Sequence, residues 1–270
     1  MRTRGFTLIE MILTIIVGSI LVLGIAGFVE LGSRGYADTV ARQRIQTQAT
    51  FVLEKMTREL RHAVPNSIAI SVDTSEKQCV SFFPIVYSGF YALNVADDKQ
   101  LSFIVGNLSG STDSLNFDGL TMFINPSRQS ELVSEKYGGM GISLNPNDLS
   151  DNGMALEQHK DESGRFVYYS LSPLYLKSQS VGQRFYMYPN KLVEYCLQFA
   201  KNSITREVVQ LPDTRVMSDA VQVADSMSSG AFAYDEPTLQ RGGVVHLSLA
   251  FAQNGEVSEF EQDVQVLNVP

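Results

Sequence analysis

Gly5-Phe6-Thr7-Leu8-Ile9-Glu10 is the stretch whose reading decides the fold, because nineteen residues without a charge, 11–29, follow it directly. At 1.5 Å per residue a helix over 11–29 spans about 28 Å, close to the ~30 Å hydrocarbon core of a bilayer. A carboxylate such as Glu10 at the edge of that span is costly, up to ~3 kcal/mol if it were central, so it is expected to have a partner. Met1-Arg2-Thr3-Arg4 precedes it, and Arg2 and Arg4 favour a cytoplasmic N-terminus, although Arg34, Arg42 and Arg44 lie beyond the span. A secretory signal peptide has a shorter apolar core, roughly 7–15 residues, ending in a small-residue cleavage site. Here the run is longer, and no lipid-accepting Cys follows it.

A short basic leader, Gly5, Phe6, three uncharged residues, Glu10 and then a long apolar run together resemble the type IV prepilin signal of type IV pilins and type II secretion pseudopilins. The resemblance implies that a prepilin peptidase cuts between Gly5 and Phe6 and N-methylates Phe6. It also implies that the chain waits in the inner membrane, with its globular domain in the periplasm, and enters a fibre or initiation complex by its N-terminal helix. Glu10 lies four residues from the new amine on Phe6. Within an apolar bundle the carboxylate of one subunit can neutralise the amine of another and set axial register, a pairing that gives specificity more than net stability.

The helical pattern continues past the span. Ile45, Ala49, Val52, Met56, Leu60 and Ala63 recur at spacings of 3 and 4, one face of an amphipathic helix. Glu54 and Arg58 are placed for an i,i+4 pair, and Pro65-Asn66 stops the helix. Gly18, Gly24, Gly27, Gly32 and Gly35 admit two readings, close packing against neighbouring helices or a segment able to bend.

From Pro65 the chain reads as β, with strands expected at 67–72, 79–86, 90–95, 101–105, 114–124, 166–171, 184–188, 192–199, 205–211, 221–224, 244–251 and 257–267. Asn254-Gly255 marks a hairpin between the last two, and Pro189-Asn190-Lys191 marks another between 184–188 and 192–199. Residues 106–165, rich in Gly, Ser, Asn and Asp, read as a long polar surface insertion with short strands rather than a second domain. The expected fold class is therefore α+β, a long N-terminal helix packed on an antiparallel sheet domain. Its divisions are a leader (1–5), a membrane and assembly helix (6–30), an amphipathic spine (31–64) and a β-rich globular domain (65–270).

Composition narrows the function. Lys+Arg is 21 and Asp+Glu is 29, a net charge of −8; without the two leader arginines the balance is 19 against 29, or −10. An acidic chain is a poor nucleic-acid binder, so no nucleic-acid partner is expected. No nucleophile elbow, zincin, P-loop or dinucleotide-binding motif occurs, and no enzyme, cofactor or metal is expected. His62, His159 and His246 stand in unlike contexts. Asp148-x-Ser150-x-Asn152-Gly153 faintly resembles a calcium loop, but His159 stands where the bidentate Glu belongs, and a polar turn is preferred. The aromatic groups Phe82, Phe83, Tyr87, Phe90, Tyr91 and Phe166, Tyr168, Tyr169, Phe185, Tyr186, Tyr188 read as sheet packing ahead of a glycan-stacking platform.

Within the pilin-like class, Glu54-Lys55-Met56-Thr57-Arg58-Glu59-Leu60-Arg61-His62-Ala63 resembles the helix end of large minor pilins of the PilW and GspJ-like group. With Cys79-Val80-Ser81-Phe82-Phe83-Pro84-Ile85, the tail Val264-Gln265-Val266-Leu267-Asn268-Val269-Pro270 and the length, the chain resembles the minor pilin-like proteins of mannose-sensitive haemagglutinin (MSHA) pilus biogenesis. That resemblance implies as partners the prepilin peptidase, other major and minor pilins and the inner-membrane assembly platform. In a periplasmic domain Cys79 and Cys196 are expected to form a disulfide rather than remain as two buried thiols. A type II secretion pseudopilin of the GspJ type and a tip adhesin binding surface glycans are the alternatives.

Overall fold

The structure is a computed structural model, and it describes residues 7–73, 76–94, 100–106, 115–117, 119–133, 140–143, 153–162, 164–171, 176, 178–211, 220–237 and 242–266. Helix α1 (Leu8–Arg61) runs unbroken for 54 residues, about 81 Å at the standard rise. Thr7 enters it in extended conformation, and Glu10 lies in the first turn, where the helix dipole favours an anion. Arg58 and Arg61 in the last turn suit the opposite pole. The helix ends at Arg61, just ahead of Pro65 and of Asn66, whose φ of 58° is left-handed.

The strands follow in order: β1 (Ala69–Asp73), β2 (Lys77–Phe82), β3 (Tyr87–Asn94), β4 (Gln100–Val105) and β5 (Leu120–Ile124). A short helix α2 (Gln129–Val133) precedes β6 (Met140–Ser143), β7 (Gly153–Lys160), β8 (Phe166–Ser170), β9 (Arg184–Pro189) and β10 (Lys191–Gln198). β11 (Ser203–Gln210), β12 (Val221–Ala224), β13 (Met227–Asp235), β14 (Val244–Gln253) and β15 (Glu256–Gln265) complete the chain. An α+β architecture of long apolar helix and antiparallel β domain is thus observed, as the sequence led us to expect.

These strands form three units. A five-stranded antiparallel sheet has the order β1-β2-β10-β11-β12, and a three-stranded one the order β13-β14-β15. Both pack with the second half of α1 around one core, to which the helix contributes Ile45, Ala49, Val52, Met56 and Leu60, the predicted stripe. Val80, Tyr195, Leu197, Leu247, Leu249 and Phe251 meet it from the two sheets. Asn254 (φ 52°) and Gly255 (φ 84°) turn β14 into β15, with positive φ at both positions, as a two-residue type I′ hairpin requires.

The third unit is a closed barrel of seven strands in the order β3-β4-β8-β7-β6-β5-β9, antiparallel except for β6 and β7. Its interior is filled with rings: Phe103 lies 5.2 Å from Tyr168 and 5.1 Å from Phe185, and Phe117 lies 5.0 Å from Tyr168, between centroids. Stretch 106–165, read as a polar surface insertion, supplies β5, β6 and β7 and places Leu115, Phe117, Met122, Ile124, Met154 and Leu156 in the barrel core. The strand expected at 114–124 already held four of these positions; the polar residues around Met154 and Leu156 hid the other two.

The hairpin expected at Pro189-Asn190-Lys191 does not form. β9 pairs with β3 and β5 in the barrel, whereas β10 pairs with β2 and β11. Asn190 is a crossover: its carbonyl accepts Leu211 N (3.0 Å) and Gln210 Nε2 (3.1 Å), and its side-chain oxygen accepts Thr121 Oγ1 (3.0 Å). The chain makes the reverse passage between β2 and β3. The barrel is therefore an insertion between two strands that pair with each other, β2 and β10. A small apolar seam of Val64, Phe83, Phe123, Leu132, Tyr186 and Tyr188 joins it to the end of the spine. Expected strand 114–124 is shorter, because Gly119 (φ 72°) breaks the extended run before β5.

Candidate functional site

The feature that the rest of the fold does not consume is the first part of α1. No residue in 8–40 is buried; burial starts at Ala41. This part projects about 50 Å from the body. Leu8, Ile9, Ile20, Leu23, Phe28 and Leu31 are each at least 65% exposed, a state that water disfavours and that lipid or other helices would relieve. The helix is long and apolar enough to cross a membrane. At Gly18, Gly24, Gly27, Gly32 and Gly35 no atom lies within 4 Å of where a Cβ would stand, so each leaves an open notch, and α1 does not break at any of them.

Glu10 is exposed in the first turn of this projecting helix. Gly5 and Phe6, like Arg2 and Arg4, lie outside the described residues. The structure therefore places Glu10 but not the amine it is expected to meet.

Ion pairs fasten the helix where it joins the body. Arg42 Nη2 meets Glu256 Oε2 at 3.0 Å on the β14–β15 hairpin, and Arg44 Nη2 meets Asp225 Oδ2 at 3.1 Å between β12 and β13. Arg42 thus grips the three-stranded sheet, and Arg44 grips the link between the two sheets. Further along, Glu59 takes Arg206 Nε of β11 at 3.0 Å and Lys55 Nζ at 3.2 Å. On the spine the i,i+4 ion pair is Lys55–Glu59 rather than the expected Glu54–Arg58, and Glu30–Arg34 makes another in the projecting part of the helix. Burial works against the Arg206 charge, but the Glu59 carboxylate outweighs it and holds its pKa above the ordinary value. Burial likewise pushes the neighbouring Tyr195 hydroxyl up, and the Glu59 charge adds to that. No sequence pattern pairs these groups, because Arg42 and Glu256 stand 214 residues apart and Arg44 and Asp225 stand 181 apart.

Cys79 and Cys196 are directly opposed on β2 and β10, with Cα atoms 4.1 Å apart, and form a disulfide. It crosses the two strands between which the barrel is inserted. Glu194 lies beside it, but the sulfurs are bonded to each other and are not free to ligate a metal. Two histidines have carboxylate neighbours: His159 Nε2 lies 3.0 Å from Glu157 Oε1, and His246 Nδ1 lies 2.7 Å from Asp263 Oδ1 with Nε2 3.7 Å from Asp235 Oδ2. For His246, the hydrogen bond to Asp263 leads in holding its pKa above the usual imidazole value. Asp148, Ser150 and Asn152 lie outside the described residues, and the stretch after them is β7. Of the aromatic groups, Phe82, Phe83, Tyr91, Tyr168, Phe185, Tyr186 and Tyr188 are buried, and Phe90 is half exposed beneath the Arg184 guanidinium.

Residues 1–26 match the prokaryotic N-terminal methylation motif, the prepilin-type signal of type IV pilin-like proteins and pseudopilins. Comparison with curated proteins and with solved structures returned no match. The motif implies processing by a peptidase and association with other pilins in general, and it points to a structural protein rather than an enzyme. With the projecting apolar helix it suits an inner-membrane anchor.

Proposed function

We propose that the chain is a minor pilin-like assembly protein of an MSHA-type pilus, of the MshO kind, which primes or caps a fibre through its N-terminal helix. The observation that carries this reading is the coincidence of the methylation motif with an apolar helix that no part of the body covers over residues 8–40. The peptidase cleaves between Gly5 and Phe6 and methylates Phe6, while the body lies in the periplasm. Glu10 then meets a Phe6 amine within the apolar bundle and sets the axial register. The notches at Gly18, Gly24 and Gly27 let neighbouring helices approach closely. The barrel supports a low-copy position at or near the tip: it joins the body at the end of the spine farthest from the span, through Val64, and widens the head.

Two measurements test this reading. Mass spectrometry of the mature protein should show loss of Met1 to Gly5 and an N-terminal methyl-Phe; retained Met1 in cells with active prepilin peptidase would overturn the proposal. Replacement Glu10→Gln removes the charge at nearly constant size. Cleavage should persist and insertion should be unchanged or easier. Cross-linking to other pilins should fall several-fold at equal membrane levels, because an amine is left unpaired in hydrocarbon. Undiminished cross-linking would remove the register role. A type II secretion pseudopilin would show the same processing, and the proteins captured by the cross-link tell the two apart.

A further inference from the structure

The three-stranded sheet treats its two edges differently. On the β13 side the amide side chain of Gln78 acts as a strand: its Nε2 donates to Phe232 O at 2.9 Å and its Oε1 accepts Phe232 N at 3.0 Å. β13 is also bulged between Met227 and Ser229. The β15 edge has neither device. β15 pairs with β14 over ten consecutive residues without a register shift and, among the described residues, has no second strand neighbour. It contains no Lys, Arg or Pro, and the charges that guard it are all carboxylates, Glu256, Glu259, Glu261 and Asp263. By contrast β12, an edge of the five-stranded sheet, has four residues and a bulge in its pairing.

Helix α1 packs on β15, and its Arg42 holds Glu256 at the start of the strand, but it leaves the stretch 259–262 open. An open groove of about 870 Å³ lies between the spine, at Thr50, Leu53, Glu54, Thr57, Arg58, Arg61 and His62, and the strand at Glu259, Phe260, Glu261 and Gln262, with Leu53 and Phe260 as its apolar members. The outward face of β15 carries Glu259 and Glu261, both exposed and, among the described residues, without an ion-pair partner; Asp263 next in line holds His246. Two copies of β15 set edge to edge would bring these carboxylates together, which disfavours self-pairing. A strand with a cation at every second position would match them.

We propose that the β15 edge accepts an extended segment of another protein as a fourth strand. The segment alternates Lys or Arg, facing Glu259 and Glu261, with apolar residues that face the groove beside Leu53 and Phe260. Backbone hydrogen bonds hold it, and the alternation selects it. This inference goes beyond the assembly reading and stands without it, since no residue of the projecting helix takes part.

The test uses the full chain in a non-ionic detergent at physiological salt, with two fluorescent nine-residue peptides of the same Lys/Val composition, one alternating and one in two blocks. The alternating peptide should bind at least tenfold more tightly and slow amide hydrogen exchange in β15. Replacement Glu259→Lys/Glu261→Lys, on an exposed face, should weaken it at least tenfold and transfer preference to an alternating Glu/Val peptide. Equal binding of the two Lys/Val peptides, or protection confined to other strands, would overturn the proposal. So would concentration-dependent protection of β15 without peptide, which would mean that a second copy occupies the edge. If the double variant fails to fold, the exchange map of the wild-type chain decides alone.

Discussion

At the scale of single residues, two positions carry more than their side chains imply. Gly89 lies in β3 where a Cβ would collide with the Ile104 carbonyl oxygen and come within 3.0 Å of Phe185 Cε1. Both are fixed, one by the β3–β4 ladder and the other by the ring core. Gly89→Ala should therefore destabilise the barrel by about 1–3 kcal/mol. Gly106→Ala is its control, since the nearest atom there is Ser88 O at 3.7 Å and the change should be close to neutral. Thermal unfolding of the two variants measures the difference. His246 makes the second case. Its pKa is raised in the folded chain, first by the Asp263 hydrogen bond, so its contribution is fully present below the unfolded value of about 6.5. The contribution is lost as pH rises through the folded value. An NMR titration should find the imidazole above 6.5, and Asp263→Asn should lower it. No change in that variant would show that Asp263 does not hold the proton.

At the scale of elements, the disulfide and the turns show what a linear reading could and could not see. Cys79–Cys196 joins β2 to β10 across a separation of 117 residues, and the barrel hangs from the strands it clamps. Loop-closure entropy for such a length is about 4–5 kcal/mol. Replacement of both cysteines by Ala should reduce stability by up to that amount, read as a lower denaturant midpoint; an unchanged midpoint would mean that the barrel base is held by the ladder and the seam alone. The spine stripe and the Asn254-Gly255 hairpin were legible because each rests on local chemistry, a helical period and a pair of residues suited to positive φ. The crossover at Asn190 was not, since Pro189-Asn190-Lys191 has turn composition yet its flanking strands belong to different units. β13 was missed because Met227-Ser-Ser-Gly-Ala-Phe-Ala is a run of small residues without the bulk that marks a strand. Its smallness has a packing reason: a Cβ on Gly230 would lie 3.1–3.2 Å from Ser248 O, Leu197 and Leu249. β7 was missed for the opposite reason, its two core residues, Met154 and Leu156, being diluted by Glu157, Gln158, His159 and Lys160.

At the scale of the whole molecule, one helix serves two environments, and the boundary between them is testable. No residue in 8–40 is buried, while Ile45, Ala49, Val52, Met56 and Leu60 are buried in a core shared by both sheets. The spine is thus the layer that covers the inner faces of the two sheets, and the ion pairs of Arg42 and Arg44 close its near end. A chain beginning at Arg34 keeps all of this and loses the apolar span. It should be soluble, monomeric and cooperative in unfolding. A chain beginning at Asn66 loses the stripe, leaving Tyr195, Leu247, Leu249 and Phe251 open to water, four large side chains each contributing about 1.5–3 kcal/mol on burial. The loss approaches the whole stability of an ordinary domain, roughly 5–15 kcal/mol, so this second chain should aggregate or unfold without a sharp transition. Its barrel has a separate ring core and is the part expected to keep amide protection. Sedimentation and denaturant unfolding of the two chains decide the matter. Equal stability would show that the stripe is not structural for the body, and that the spine, like the span before it, is held in reserve for other subunits.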